Sequence, residues 1–118
     1  MKKILVAEDN DSNFILMSYI LKKYYEFERA KNGQEAVEKA DSGNFDLILM
    51  DIKMPIMDGM EATRQIREKY PDLPIVALTA NAFDSDRTMA MEAGCNDFLS
   101  KPVSSQLCIE TIKKYLGE

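Results

Sequence analysis

Five residues of this chain carry mutually suited chemistry, and each follows a short segment of strand-like composition. Glu8 and Asp9 follow the run 4–7, Asp51 follows 46–50, Thr79 follows 75–78, and Lys101 follows "DFLS" at 97–100. Apolar runs of four or five residues have the length of buried strands and fall far short of the ~20 needed to span a membrane. If the strands end at one edge of a sheet, three carboxylates, a hydroxyl and an ammonium share one cleft. Carboxylates crowded in this way repel one another, and burial raises the cost. A divalent cation relieves the repulsion. Magnesium takes hard oxygen ligands, typically one or two carboxylates plus a phosphate, and calcium also suits oxygen. A carboxylate beside a cation and an ammonium can attack phosphorus to give an acyl phosphate. That chemistry needs positioning and neutralisation of phosphoryl charge, which Lys101 and the Thr79 hydroxyl can supply. Asp51, after the middle run, is the best nucleophile. Pro55 stiffens the loop behind it, and Gly59 permits a tight turn into the next helix.

Taken singly, each of these residues has an ordinary explanation. An acid at a strand end is commonly a helix cap, and Asp11 and Asp84 are read that way; Asp58 before Gly59 reads as turn chemistry. Met50, Met54, Met57 and Met60 read as packing. The signal is the joint occurrence at successive strand ends. Two other motifs fail. "DNDSN" (9–13) starts like a calcium loop, but Phe14 stands where the glycine belongs and Ile20 where the bidentate glutamate belongs. A mononucleotide site after the first strand fails because "EDNDSN" has neither glycine nor base to cradle a phosphate.

The elements that must position these residues alternate along the chain. Residues 4–7 form a buried strand. Asp11 or Ser12 caps a helix reaching about Tyr25, with Phe14, Met17, Leu21 and Tyr24 apolar. "FERA" (27–30) alternates apolar and polar, as suits a strand nearer an edge. Gly33 opens a short helix with Ala36, Val37 and Ala40 on one face. Strand 46–50 precedes a helix over 60–70, which "PDLP" (71–74) stops. Strand 75–78 precedes a helix over 84–93, which Gly94 closes. Strand 97–100 leads to a final helix capped by Ser104 or Ser105, its apolar residues Cys108, Ile112, Tyr115 and Leu116 on one side. Five strand–helix units with continuous apolar strands imply a parallel sheet covered on both faces, with its chemistry at the carboxyl edge.

The chain has 118 residues, 46% hydrophobic and 30% charged, and a net charge of −5. The expectation is one domain spanning 1–118, large enough to fold without a disulfide or metal. The acidic balance argues against direct nucleic-acid binding. Cys95 and Cys108 lack metal-ligand spacing, and there is no histidine, so both read as free thiols of a reducing compartment. "MKKILVAED" reads as a first strand rather than a signal peptide, and the expected location is cytoplasmic, away from the membrane.

The sequence resembles the receiver domain of two-component response regulators over essentially its whole length. The matching pieces are "ILVAEDN", "DLILMDIKMPIMDG", "PIVALTAN" and "DFLSKP", and "ALTANAF" looks most like receivers of hybrid sensor histidine kinases. The resemblance implies a flavodoxin-like (βα)5 fold with a five-stranded parallel sheet in the order 2-1-3-4-5, the order of a chemotaxis member of the family. It implies Asp51 as phosphoacceptor. It also implies Mg2+ held by Glu8, Asp9, Asp51 and the backbone carbonyl of Lys53, with Glu8 acting largely through water. Thr79 and Lys101 would contact the phosphoryl group. Thr79 and Phe98 would form the switch, Phe98 standing where many members carry tyrosine. Lys53 and Asn81 would tune dephosphorylation, and Lys101–Pro102 would be a cis bond.

The function so implied is an Mg2+-dependent phosphorelay module. It takes phosphoryl from a phosphohistidine of a sensor kinase or histidine phosphotransfer protein and switches a surface toward an unidentified downstream target. It would do so as a monomer or a weak phosphorylation-dependent dimer. It catalyses its own phosphorylation and dephosphorylation, so whether it counts as an enzyme is a matter of definition. A haloacid-dehalogenase-like phosphatase, with Asp9 as nucleophile, leaves Asp51 without a role. A pseudo-receiver acting only as an interaction surface is favoured by loss of the acids or Lys101, and all are present.

Overall fold

The computed structural model describes residues 1–80 and 85–118. Its elements run β1 (Lys3–Ala7), α1 (Asp11–Leu21), β2 (Glu26–Ala30), α2 (Gly33–Ser42), β3 (Leu47–Asp51), α3 (Gly59–Lys69), β4 (Ile75–Thr79), α4 (Ser85–Ala93), β5 (Asp97–Ser100) and α5 (Ser105–Leu116). The five strands are parallel, in the order β2-β1-β3-β4-β5. Asn81, expected to tune dephosphorylation, lies outside the described residues, as does Asp84.

Side chains alternate across each strand, so continuous apolar runs divide between two cores. Leu5, Ile48, Met50, Ile75 and Ala77 belong to one, with Ala36 and Ala40 of α2, Ala62 and Ile66 of α3, and Ala90 of α4. Ile4, Val6, Leu47, Leu49, Val76 and Leu78 belong to the other, with Met17 and Leu21 of α1 and Cys108 and Ile112 of α5. The free thiols Cys95 and Cys108 are both buried and belong to opposite cores. β2, the alternating "FERA" segment, is an edge strand.

The first helix differs from the expectation at both ends. Its cap is Asn10, whose side chain accepts from the Asn13 N–H at 2.9 Å, and Asp11 instead pairs with Arg29 at 2.9 Å. It ends at Leu21 and does not reach Tyr25, because β2 starts at Glu26, whose N–H donates to the Lys2 carbonyl at 3.0 Å. The chain must therefore reverse between them. The reversal buries Tyr25, whose hydroxyl donates to Glu118, and leaves Tyr24 half-exposed. Asp58 caps α3 by accepting from the Glu61 N–H, and Ser104 caps α5. Gly94 follows α4 with a φ of +119°, a conformation that glycine adopts freely.

Candidate active site

Strand register decides which side chains meet. Ala7 lies beside Met50, Asp51 beside Leu78, and Thr79 beside Ser100. Glu8, Asp51, Thr79 and Lys101 therefore emerge at one carboxyl edge. The Glu8 N–H still donates to the Ala30 carbonyl at 2.9 Å, extending the ladder one residue and burying Glu8. Asp51 ends the central strand between both cores and is only 5% exposed.

The Lys101 ammonium joins the two buried acids. Its Nζ lies 3.1 Å from Asp51 Oδ2 and 3.0 Å from Glu8 Oε1. Glu8 Oε1 has ion-pair proximity but no directed hydrogen bond among the described residues. The Asn10 N–H donates to Glu8 Oε2, and the Lys53 N–H to Asp51 Oδ1, each at 3.3 Å. Burial raises the Asp51 pKa to about 7; the neighbouring Glu8 carboxylate adds to the rise, and Lys101 opposes it. For Lys101, burial alone would lower the pKa, but the adjacent Glu8 and Asp51 carboxylates outweigh it, and the net shift is upward.

Thr79, also buried, ends β4, and its carbonyl accepts from the Lys101 N–H at 2.8 Å. Asp51, Lys53, Thr79 and Lys101 line one cleft, with Asp86 of α4 on its far wall. Lys53 Nζ reaches Asp86 Oδ2 at 3.5 Å. Phe98 sits apart from the cleft on β5, half-buried, with the Arg87 guanidinium 4.5 Å above its ring. The Lys101–Pro102 bond is cis. A roomier groove between α1 and α5 is lined by Tyr19, Tyr24, Lys23 and Glu110 among others, away from the acidic cluster.

Glu8, Asp9 and Asp51 each place a carboxylate oxygen within 4.8 Å of the others. Three hard oxygens, one of them buried without a directed hydrogen bond, fit a divalent cation. Arg29 of β2 escaped the sequence reading. It donates to the Glu8 carbonyl at 3.0 Å and the Asp9 carbonyl at 3.2 Å. Nothing in "FERA" distinguishes an arginine that clamps a neighbouring loop from one on a solvated edge. Asp86 was missed for a similar reason, because a first-turn acid ordinarily serves its own helix.

A family model described as the response regulator receiver domain matches residues 4–113. The chain belongs to this family. Hybrid signal transduction histidine kinase B of Dictyostelium discoideum is 45% identical over 99% of the chain, which spans only 7% of that kinase. The polar-differentiation response regulator DivK of Brucella anthropi is 38% identical, with 99% of the chain and 98% of DivK covered. Among solved structures, the receiver domain of sensor histidine kinase PA1611 from Pseudomonas aeruginosa superposes with a TM-score of 0.94 at 36% identity, covering 99% of this chain and 98% of that one. Its crystal structure has a magnesium ion coordinated in the active-site cleft. The receiver domain of Ssk1 from Saccharomyces cerevisiae, crystallised with the histidine phosphotransfer protein Ypd1, gives 0.90 at 35% identity, covering 97% and 88%. The receiver fold thus stands here as a phosphoacceptor module of phosphorelay signalling. Among the described residues no helix is long and apolar enough to cross a membrane.

Proposed function

We propose that Asp51 is the residue phosphorylated, and that Glu8, Asp9, Asp51 and the Lys53 carbonyl hold the Mg2+ on which the transfer depends. The supporting observation is the buried Asp51 carboxylate at the end of the central strand, 3.1 Å from Lys101 and clustered with Glu8 and Asp9. When bound, the cation neutralises charge on the carboxylates and on the phosphoryl oxygens. An Asp51 oxygen attacks the phosphorus of a phosphohistidine. The new O–P bond forms as the P–N bond breaks, and the departing imidazole nitrogen takes up a proton from solvent. Lys101 is placed to follow the phosphoryl oxygens, and the Thr79 hydroxyl to donate to one of them. Lys53 lines the path to the acyl phosphate and, with Asn81, tunes its hydrolysis.

The donor is a sensor histidine kinase or a histidine phosphotransfer protein. Its docking face is the exposed apolar surface of α1, formed by Ile15, Leu16 and Tyr19. Leu16 also lines a small recess with Lys101 and Pro102, which connects that surface to the cleft rim. Ile56, 83% exposed with a φ of +71°, adds a second apolar point in the loop after Asp51. Phosphorylation then switches a surface for a downstream partner in the cytoplasm.

Intact-mass measurement after treatment with Mg2+ and a small phosphodonor tests this reading. One added phosphoryl group, labile to hydroxylamine and absent in Asp51→Asn, is the expected result. The same adduct on Asp51→Asn would overturn the assignment.

A further inference from the structure

We propose that Arg29 is a positioning residue of the metal site, bracing the backbone of the acidic loop so that its carboxylates favour Mg2+ over the larger Ca2+. This rests on the reading of Glu8, Asp9 and Asp51 as the ion's carboxylates.

One guanidinium engages two acceptors in the loop between β1 and α1 and a third on the first residue of α1. Nε donates to the Glu8 carbonyl at 3.0 Å, Nη2 to the Asp9 carbonyl at 3.2 Å, and Nη1 pairs with Asp11 Oδ1 at 2.9 Å. The planar fork fixes these directions together, which a lysine ammonium cannot do. The guanidinium is itself held: the Phe14 ring lies 4.8 Å away, and that ring packs edge-on against Phe27 at 6.1 Å. Only 17% of the Arg29 side chain is exposed. Meanwhile the Glu8 N–H donates to the Ala30 carbonyl. Residues 29 and 30 of one edge strand therefore anchor the backbone from both sides of Glu8.

The consequence falls mainly on Asp9. Its carboxylate is exposed, so its direction is set through its backbone rather than by surrounding packing. Fixing the peptide planes on both sides of Asp9 narrows the space that the carboxylate searches. Mg2+ demands near-octahedral geometry at short distances, whereas Ca2+ accepts six to eight oxygens in flexible arrangements. A braced loop therefore favours the smaller ion. Were Arg29 only a counter-charge, its loss would change the affinity of both dications in the same direction and by the same factor.

The test titrates Mg2+ and Ca2+ separately into the protein and into Arg29→Gln and Arg29→Lys, followed by calorimetry and by amide chemical shifts. Arg29→Gln should weaken Mg2+ about tenfold, at the low end for partners of ligand residues, and Ca2+ by no more than about twofold. Arg29→Lys keeps the charge and the stem but not the fork, and should show the same change in ratio. Amide dispersion outside the loop verifies that each variant is folded, and Arg29→Lys decides the matter if Arg29→Gln does not fold. An unchanged Mg2+/Ca2+ ratio, or one restored by lysine, overturns the positioning role while leaving the metal site standing. Binding of neither ion to the parent protein overturns both.

Discussion

Asp51 shows what the cleft costs in the absence of a cation. Its carboxyl titrates near 3.8 when unfolded and about 7 in the folded chain, because it is buried and faces Glu8. Between those values the folded state binds more protons than the unfolded one, so stability falls as pH rises through the window. The penalty is absent below about 4 and complete above about 7. Asp51→Asn removes it while leaving Lys101 paired with Glu8. In metal-free buffer at pH 8 the variant should be more stable by on the order of 1–3 kcal/mol, with the gain shrinking toward pH 4. Mg2+ should narrow the gap by stabilising the parent more. Denaturant titrations across pH measure this, and a gain independent of pH would mean that the carboxyl is not the strained group. The acids themselves were legible in the sequence because each follows an apolar run. Arg29, which clamps their loop, was not, since a hydrogen bond to a carbonyl of a neighbouring segment leaves no mark in residue type or spacing.

At the scale of elements, the strands were legible because a strand buried on both faces must be apolar throughout, and 4–7, 47–50 and 75–78 are. The helix ends were less so: α1 stops at Leu21 for a tertiary reason, the start of β2. The role of Gly59 was also misread. No turn demands its freedom; instead, a Cβ there would collide with the carbonyl oxygen of Asp51. Glycine in a helix ordinarily costs about 0.5–1 kcal/mol against alanine, so Gly59→Ala at an open site would stabilise. Here the clash should win, costing roughly 1–3 kcal/mol as overpacking does, and slowing phosphorylation by displacing the Asp51 peptide. A higher denaturation midpoint in Gly59→Ala would refute the close approach of α3 to β3. A second element-level expectation concerns β5 and α4. Arg87 lies over the Phe98 ring, a contact worth about 0.5–1 kcal/mol that favours the ring's half-buried position. Arg87→Ala should raise the population with the ring turned inward about two- to fivefold. Comparing NMR spectra with and without Mg2+ and a beryllofluoride phosphoryl mimic tests the switch. Thr79→Ala should keep phosphorylation and lose the shifts at Phe98. Shifts confined to the loops around Asp51 in the parent would sink the coupling.

For the whole molecule, the question is how one small domain accepts phosphoryl from a protein donor without exposing its acyl phosphate to every nucleophile. Asp51 is buried, so a donor histidine has to enter from the rim and be held there. The exposed large apolar residues of α1 are Ile15, Leu16 and Tyr19, at 53%, 45% and 62% exposed, left in water on the helix that starts two residues after Asp9. Nothing in the fold of the isolated chain requires them to be apolar. A small phosphodonor needs only the cleft, whereas on the proposed docking face a protein donor would also need this surface. Replacing Ile15 with Asp should therefore leave phosphorylation by a small donor within about twofold, because such surface changes cost little stability. Transfer from a histidine phosphotransfer protein should fall about ten- to a hundredfold, the range for losing 1.4 to 2.8 kcal/mol of contact. Single-turnover transfer at varied donor concentration separates the two contributions. The loss should be seen as weaker half-saturation with the limiting rate preserved, since Ile15 touches neither phosphorus nor metal. A variant slowed equally with both donors would show that α1 supports the cleft rather than receiving the partner.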